Sequence, residues 1–307
     1  MNIVGLDSLV FGVDDIAVCA TYLEDYGLSK VDQSATAARF EAIDGTGVEI
    51  RLASDAALPP ANAPAPNLRE TVYGVGDEAT LAAIASELSK DRDVIERDGV
   101  IHTFDDSGFA IAFQRTVRRK IELPPYRVNV PGQADGRPVN QIGADPAARP
   151  RPQTLSHVVY FVPDHEKAER FYAERLGFRT TDRFIGMGPF MRPQGTLDHH
   201  CLFLIQSFNS HMVGLNHFTF HMAGASEVWQ AGYQFEQKGY RTFWGPGRHL
   251  FGSNHFWYFN SPFGGAIEYD ADMDRHDDSW QPREAPANAD TSQIFLFQAR
   301  ELWAPGP

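Results

Sequence analysis

Three strand-like stretches carry the residue types that could do chemistry together. They are "TLSHVVYFV" (154–162) with His157, "GLNHFTFHM" (214–222) with His217, and "GGAIEYD" (264–270) with Glu268. Two neutral imidazoles and one carboxylate meeting at a divalent ion leave up to three coordination positions open. That arrangement suits non-haem Fe(II), which must bind a substrate and oxygen side by side. A histidine alone in a strand is more often a hydrogen-bonded core or surface group than a ligand, so no one of these residues makes the case. His221 competes with His217, because residues four apart point to the same face of a strand. They stand roughly 13 Å apart, so both cannot ligate one ion. His217 is chosen because "LNH" repeats the "LSH" context of His157.

The elements that must position these residues come from an internal repeat. "GLDSLVFGVDD" (5–15) matches "TLSHVVYFVPD" (154–164), each an alternating apolar strand leading into a helical stretch that ends in a Gly-apolar pair. "NLRETVYGV" (67–75) matches "GLNHFTFHM", and amphipathic helices are expected at 77–90 and 225–239. "DDSGFAIAF" (105–113) matches "SPFGGAIEY" (261–269), a turn and then a strand. The chain therefore reads as α+β, with two copies of one domain at 1–116 and 153–275, a Pro- and Gly-rich connector at 117–152, and a tail at 276–307. The two copies differ in chemistry. At the three matched positions the first has Ser8, Glu70 and Ala112, and only His102 of the eleven histidines lies in that half.

Composition narrows the function. A formal net charge of −13 over 307 residues disfavours nucleic acid, which draws on Lys and Arg to neutralise phosphate. The basic run Arg118, Arg119, Lys120 is expected to be a solvated part of the connector. No apolar run approaches the ~18 residues of a membrane span, so no membrane partner is expected. The opening "MNIVGLDSLVFGVDD" lacks the features of a secretory signal, so a cytoplasmic location is expected. Cys19 and Cys201 are too few for a disulfide framework, and Cys201 is read as a small buried apolar residue. A homo-oligomer is expected.

Taken together, these residues resemble the vicinal oxygen chelate superfamily, which also holds the glyoxalases and bleomycin-resistance proteins, and within it the type I extradiol ring-cleaving dioxygenases. The resemblance covers both halves in outline and is specific from about 154 to 270. It implies paired βαβββ modules, each pair forming a curved mixed sheet around a central cavity, with metal ligands His157, His217 and Glu268 in the second domain. Three further matches carry the dioxygenase pattern: "DHHCLFL", whose His199 takes the acid–base role; "GPGRHLF", which selects His249; and Tyr258, ten residues ahead of Glu268. The neighbouring His200 could reach the site as well as His199, and no role carries over to His255. The implied activity is ring opening of a catechol-type diol with O2 on Fe(II), or alternatively Mn(II), giving a semialdehyde or keto acid. A metal-dependent lyase or isomerase and a non-catalytic binding protein remain as alternatives. The segment 183–197 is either an apolar pocket wall or a surface loop, and the acidic, aromatic tail either covers the pocket mouth or packs elsewhere.

Overall fold

The architecture comes from a computed structural model, which describes all residues except 125, 135, 289, 290 and 298–307. The first half follows the order β1 (Ile3–Val13), α1 (Ile16–Tyr26), β2 (Ser29–Gln33), β3 (Ala37–Glu41), β4 (Gly47–Leu52), then β5 (Asn67–Val75), α2 (Glu78–Leu88), β6 (Ile95–Arg97), β7 (Val100–Phe104), β8 (Ala110–Arg115). The second half repeats it. β9 (Thr154–Val162), α3 (His165–Arg170), β10 (Arg179–Ile185), β11 (Gly188–Arg192) and β12 (Leu202–Gln206) form one module. β13 (Gly214–His221), α4 (Ala225–Gln237), β14 (Thr242–His249), β15 (His255–Asn260) and β16 (Ala266–Ala271) form the next. Each module is βαβββ, and each pair of modules makes one mixed sheet. The strand orders are β2-β3-β4-β1-β5-β8-β7-β6 and, with the short tail strands β17 (Arg283–Pro286) and β18 (Gln293–Leu296) at its two edges, β17-β10-β11-β12-β9-β13-β16-β15-β14-β18.

The repeat extends to the helix starts. Asp15 accepts from the Val18 N–H at 3.0 Å and Asp164 from the Lys167 N–H at 2.9 Å, the same cap at matched places. α1 ends where Gly27 turns left-handed at φ 110°, a conformation that favours glycine.

One apolar core runs through both halves. Tyr26 of α1 stacks on Tyr269 of β16 with ring centroids 4.0 Å apart, and its hydroxyl donates to the Glu268 carbonyl at 2.5 Å. The first domain thus supports the backbone of a candidate ligand in the second. The connector supplies another tie and corrects an expectation in part: Arg119 and Lys120 are exposed, but Arg118 is half-buried and bonded. Its guanidinium donates to Thr154 Oγ1 at 2.6 Å, the Leu6 carbonyl at 2.8 Å and the Leu155 carbonyl at 3.1 Å, joining β1 to β9. A neighbouring Asp44 carboxylate at 3.2 Å balances its charge.

Candidate active site

Strand register brings the three candidate residues together. His157 on β9 lies opposite Thr219 on β13, Thr219 opposite Glu268 on β16, and Glu268 opposite Tyr258 on β15. Residues opposite one another in adjacent strands share a sheet face, so this row projects to one side. His217 shares that face two residues before Thr219. In the first sheet the same register aligns Ser8, Val72, Ala112 and His102. Leu58, Val10, Val72 and Ala112 pack together there as an apolar cluster, which fills the equivalent site.

A ligand atom from each of His157, His217 and Glu268 lies within 4.8 Å of the others. His157 Nε2 is 3.1 Å and His217 Nε2 3.7 Å from Glu268 Oε2. All three side chains are buried. The other nitrogen of each imidazole is already engaged: Ser156 Oγ lies 2.9 Å from His157 Nδ1, and Asn216 Oδ1 lies 2.5 Å from His217 Nδ1. An N–H donated to Asn216 leaves His217 Nε2 with a free lone pair, as a metal ligand requires. Burial pushes the His217 imidazole down to about 3, keeping it neutral at physiological pH. Burial would raise the Glu268 carboxyl, but His157 and His249 outweigh it and hold the group well below the usual carboxylate range. Its Oε1 is buried without a hydrogen-bond partner. Two imidazoles, one ionised carboxylate and an unpartnered buried oxygen fit a divalent cation.

The remaining candidates divide. His249 Nε2 is 3.1 Å from Tyr258 Oη and 3.5 Å from Glu268 Oε1, and both side chains line the cavity. Burial and the nearby Glu268 charge raise the Tyr258 phenol well above its ordinary pKa, so it stays a proton donor. His199 does not line the cavity, whereas His200 does, with its ring centroid 4.2 Å from that of His157. The sequence reading gave the acid–base position to His199. In the loop before β12 the His199 ring turns inward to Asp182, with Nε2 to Oδ2 at 2.8 Å.

Of the unassigned histidines, His221 pairs with Asp270, and His255 lies beside Arg248 and the Trp229 ring. Burial raises the Cys201 thiol pKa, keeping it a protonated, inert side chain as expected. Thr219, which stands between His157 and Glu268, was missed; nothing marks a strand threonine as central until strands are paired. Ser156 and Asn216 did leave a signal, a small polar residue directly before each ligand histidine.

The cavity and its mouth together hold about 780 Å³ of non-atom space, part of it open to solvent. Phe184, Met187 and Phe190 line it, so the segment 183–197 contributes a pocket wall. Ser292 and Gln293 of the tail line it too.

This fold and site define a class. Residues 154–269 match the family described as the Glyoxalase/Bleomycin resistance protein/Dioxygenase superfamily. Among individual relatives, metapyrocatechase 2 of Cupriavidus necator is 37% identical over 147 residues, 47% of this chain and 45% of that protein. The chain therefore matches a little under half the length of that relative. The fold extends over both halves in solved structures. A Mn(II)-bound glyoxalase from Novosphingobium aromaticivorans superimposes with a TM-score of 0.75 at 20% identity, covering 100% of this chain and 95% of that one. The 2,2',3-trihydroxybiphenyl 1,2-dioxygenase of Sphingomonas wittichii strain RW1 gives 0.71 at 20% identity, covering 96% and 99%. Among the described residues no helix is long and apolar enough to cross a membrane.

Proposed function

We propose that this protein opens the ring of a catechol-type diol beside one hydroxyl-bearing carbon, using O2 and a divalent metal held by His157, His217 and Glu268. The observation that carries the reading is the convergence of those three ligands with His200, His249 and Tyr258 around one apolar cavity. Fe(II) is the proposed metal and Mn(II) the alternative. When bound, the metal would hold the diol and oxygen next to each other and provide an electronic route between them, which a closed-shell aromatic otherwise lacks.

The chain's own residues supply position and protons. Tyr258, kept protonated, donates to a substrate oxygen, and His249 beside it orients that oxygen. The acid–base role proposed from the sequence for His199 passes to His200, the imidazole that lines the cavity. General acid–base groups of this kind contribute on the order of 10²–10⁴ in rate. Burial of the site excludes bulk water, which strengthens each polar interaction.

The lining also limits the substrate. Phe184, Phe190, Phe203, Ile205 and Phe251 form its far wall, and no Lys or Arg lines the cavity among the described residues. An ionised substituent would be buried without a counter-charge, so the diol is proposed to be neutral with an apolar substituent. The test is anaerobic loading with Fe(II), then exposure to air with a panel of catechols, following oxygen uptake and the yellow ring-opened product. Oxygen uptake that matches colour formation supports the reading. Bound Fe(II) with no oxygen uptake from any catechol would favour a lyase or isomerase. Metal analysis of protein purified without air decides between Fe and Mn.

A further inference from the structure

Behind His200 lies a buried polar chain with no part in the scheme above. His200 Nδ1 is 2.9 Å from His199 Nδ1, and His199 Nε2 is 2.8 Å from Asp182 Oδ2. Asp182 is gripped by Arg283, whose backbone N–H donates to Oδ1 at 2.8 Å and whose Nη2 donates to Oδ2 at 2.5 Å. Neither His199 nor Asp182 has any exposed surface. The end of the second domain, just before the tail, fixes the same loop from a second side, since the His199 N–H donates to the Asp274 carbonyl at 2.8 Å and Asp198 pairs with Arg275.

Valence decides which atom carries each hydrogen. Burial raises the Asp182 carboxyl, but His199 and Arg283 outweigh it, so it lies below the ordinary range and only accepts. His199 Nε2 must therefore donate. Burial lowers the His199 imidazole in spite of Asp182, so it carries one proton and its Nδ1 accepts. The hydrogen between the two Nδ1 atoms then belongs to His200. With Nδ1 so committed, the atom at which His200 exchanges a proton is Nε2.

We infer that Asp182 and His199 are positioning residues, which hold the cavity-lining His200 imidazole in its Nδ1–H form and leave Nε2 to take and return the proton of the reaction. The inference rests on the proposed reaction for its purpose, though not for its geometry. It also gives the tail a role, because Arg283 reaches Asp182 only when β17 pairs with β10, at Asp182 opposite Arg283.

Two measurements on the full chain test this. In protein labelled with ¹⁵N-histidine and loaded with diamagnetic Zn(II), the His200 ring signals are assigned by their loss in His200→Gln. The expected spectrum has a protonated Nδ1 and a bare Nε2. An Asp182→Asn side chain can donate as well as accept, so His200 is expected to become a mixture of tautomers. In the Fe(II)-loaded enzyme the same variant is expected to lose kcat by on the order of 10²-fold while KM for the catechol stays within about threefold. A wild-type His200 protonated at Nε2 would overturn the inference. So would an Asp182→Asn enzyme with kcat within about twofold of wild type, or with its loss entirely in KM. Should Asp182→Asn fail to fold, the wild-type spectrum still decides. A wild type that binds Fe(II) and consumes no oxygen would overturn the reaction and the catalytic use of this chain, while the spectrum would judge the tautomer separately.

Discussion

Replacing His221 by Gln should remove a pH-dependent part of the protein's stability. His221 Nδ1 lies 2.6 Å from Asp270 Oδ1, and Asn254 Nδ2 donates to the other carboxylate oxygen at 3.0 Å. Burial alone would lower the imidazole pKa, but the charge and hydrogen bond of Asp270 reverse this and raise it from 6.5 to about 9. At about 1.4 kcal/mol per pH unit, that gap corresponds to roughly 3 kcal/mol. The folded state holds the proton more tightly than the unfolded one. The contribution is therefore complete below pH 6.5, declines as pH rises, and is gone above about 9. Urea unfolding of metal-free wild type and His221→Gln, in chelator from pH 6 to 10, isolates it, because other titrating groups cancel in the difference. The variant should be about 3 kcal/mol less stable at pH 6 and should converge with wild type by about pH 10. A difference that stays constant across this range would refute the assignment of a charged His221–Asp270 pair.

Asn216→Ala should weaken metal binding by about 10–100-fold without removing a ligand, since it frees the His217 ring to turn and change tautomer; competition against a chromogenic chelator measures this. A catechol bearing a phenyl substituent should exceed one bearing a carboxylate by on the order of 10² in kcat/KM, because among the described residues no Lys or Arg lines the cavity to meet the acid; steady-state oxygen uptake with both decides it. Leu58→Ala, in the apolar cluster that fills the first sheet's equivalent site, should cost about 2–5 kcal/mol in urea unfolding and leave metal affinity unchanged.

Much of the fold was legible because repetition and periodicity are local properties of the chain. The offset of about 149 residues between "LVFGVDD" and "VVYFVPD" predicted two strands, and the structure adds equivalent aspartate caps at Asp15 and Asp164. The expected helices at 77–90 and 225–239 run over Glu78–Leu88 and Ala225–Gln237, three and two residues shorter, within the usual uncertainty of helix ends. The candidate ligand trio was legible for the same reason: His157, His217 and Glu268 occupy positions matched by Ser8, Glu70 and Ala112, and only one copy carries metal-binding types at all three.

Residue types, their periodicity and their doubling thus determined the two-domain α+β plan and nominated the metal ligands. Tertiary structure decided what depends on register and on which way a side chain turns. It set Thr219 between His157 and Glu268, sent His199 to Asp182 and His200 to the cavity, tied the half-buried Arg118 into the seam between the halves, and brought Arg283 from the tail to the back of the site. The physical reason is that a strand's own pattern gives the face each residue takes, but its partner and offset are set by packing over the whole core. Neighbours such as His199 and His200 have the same composition and nearly the same sequence context, and only the groups packed around their loop tell them apart.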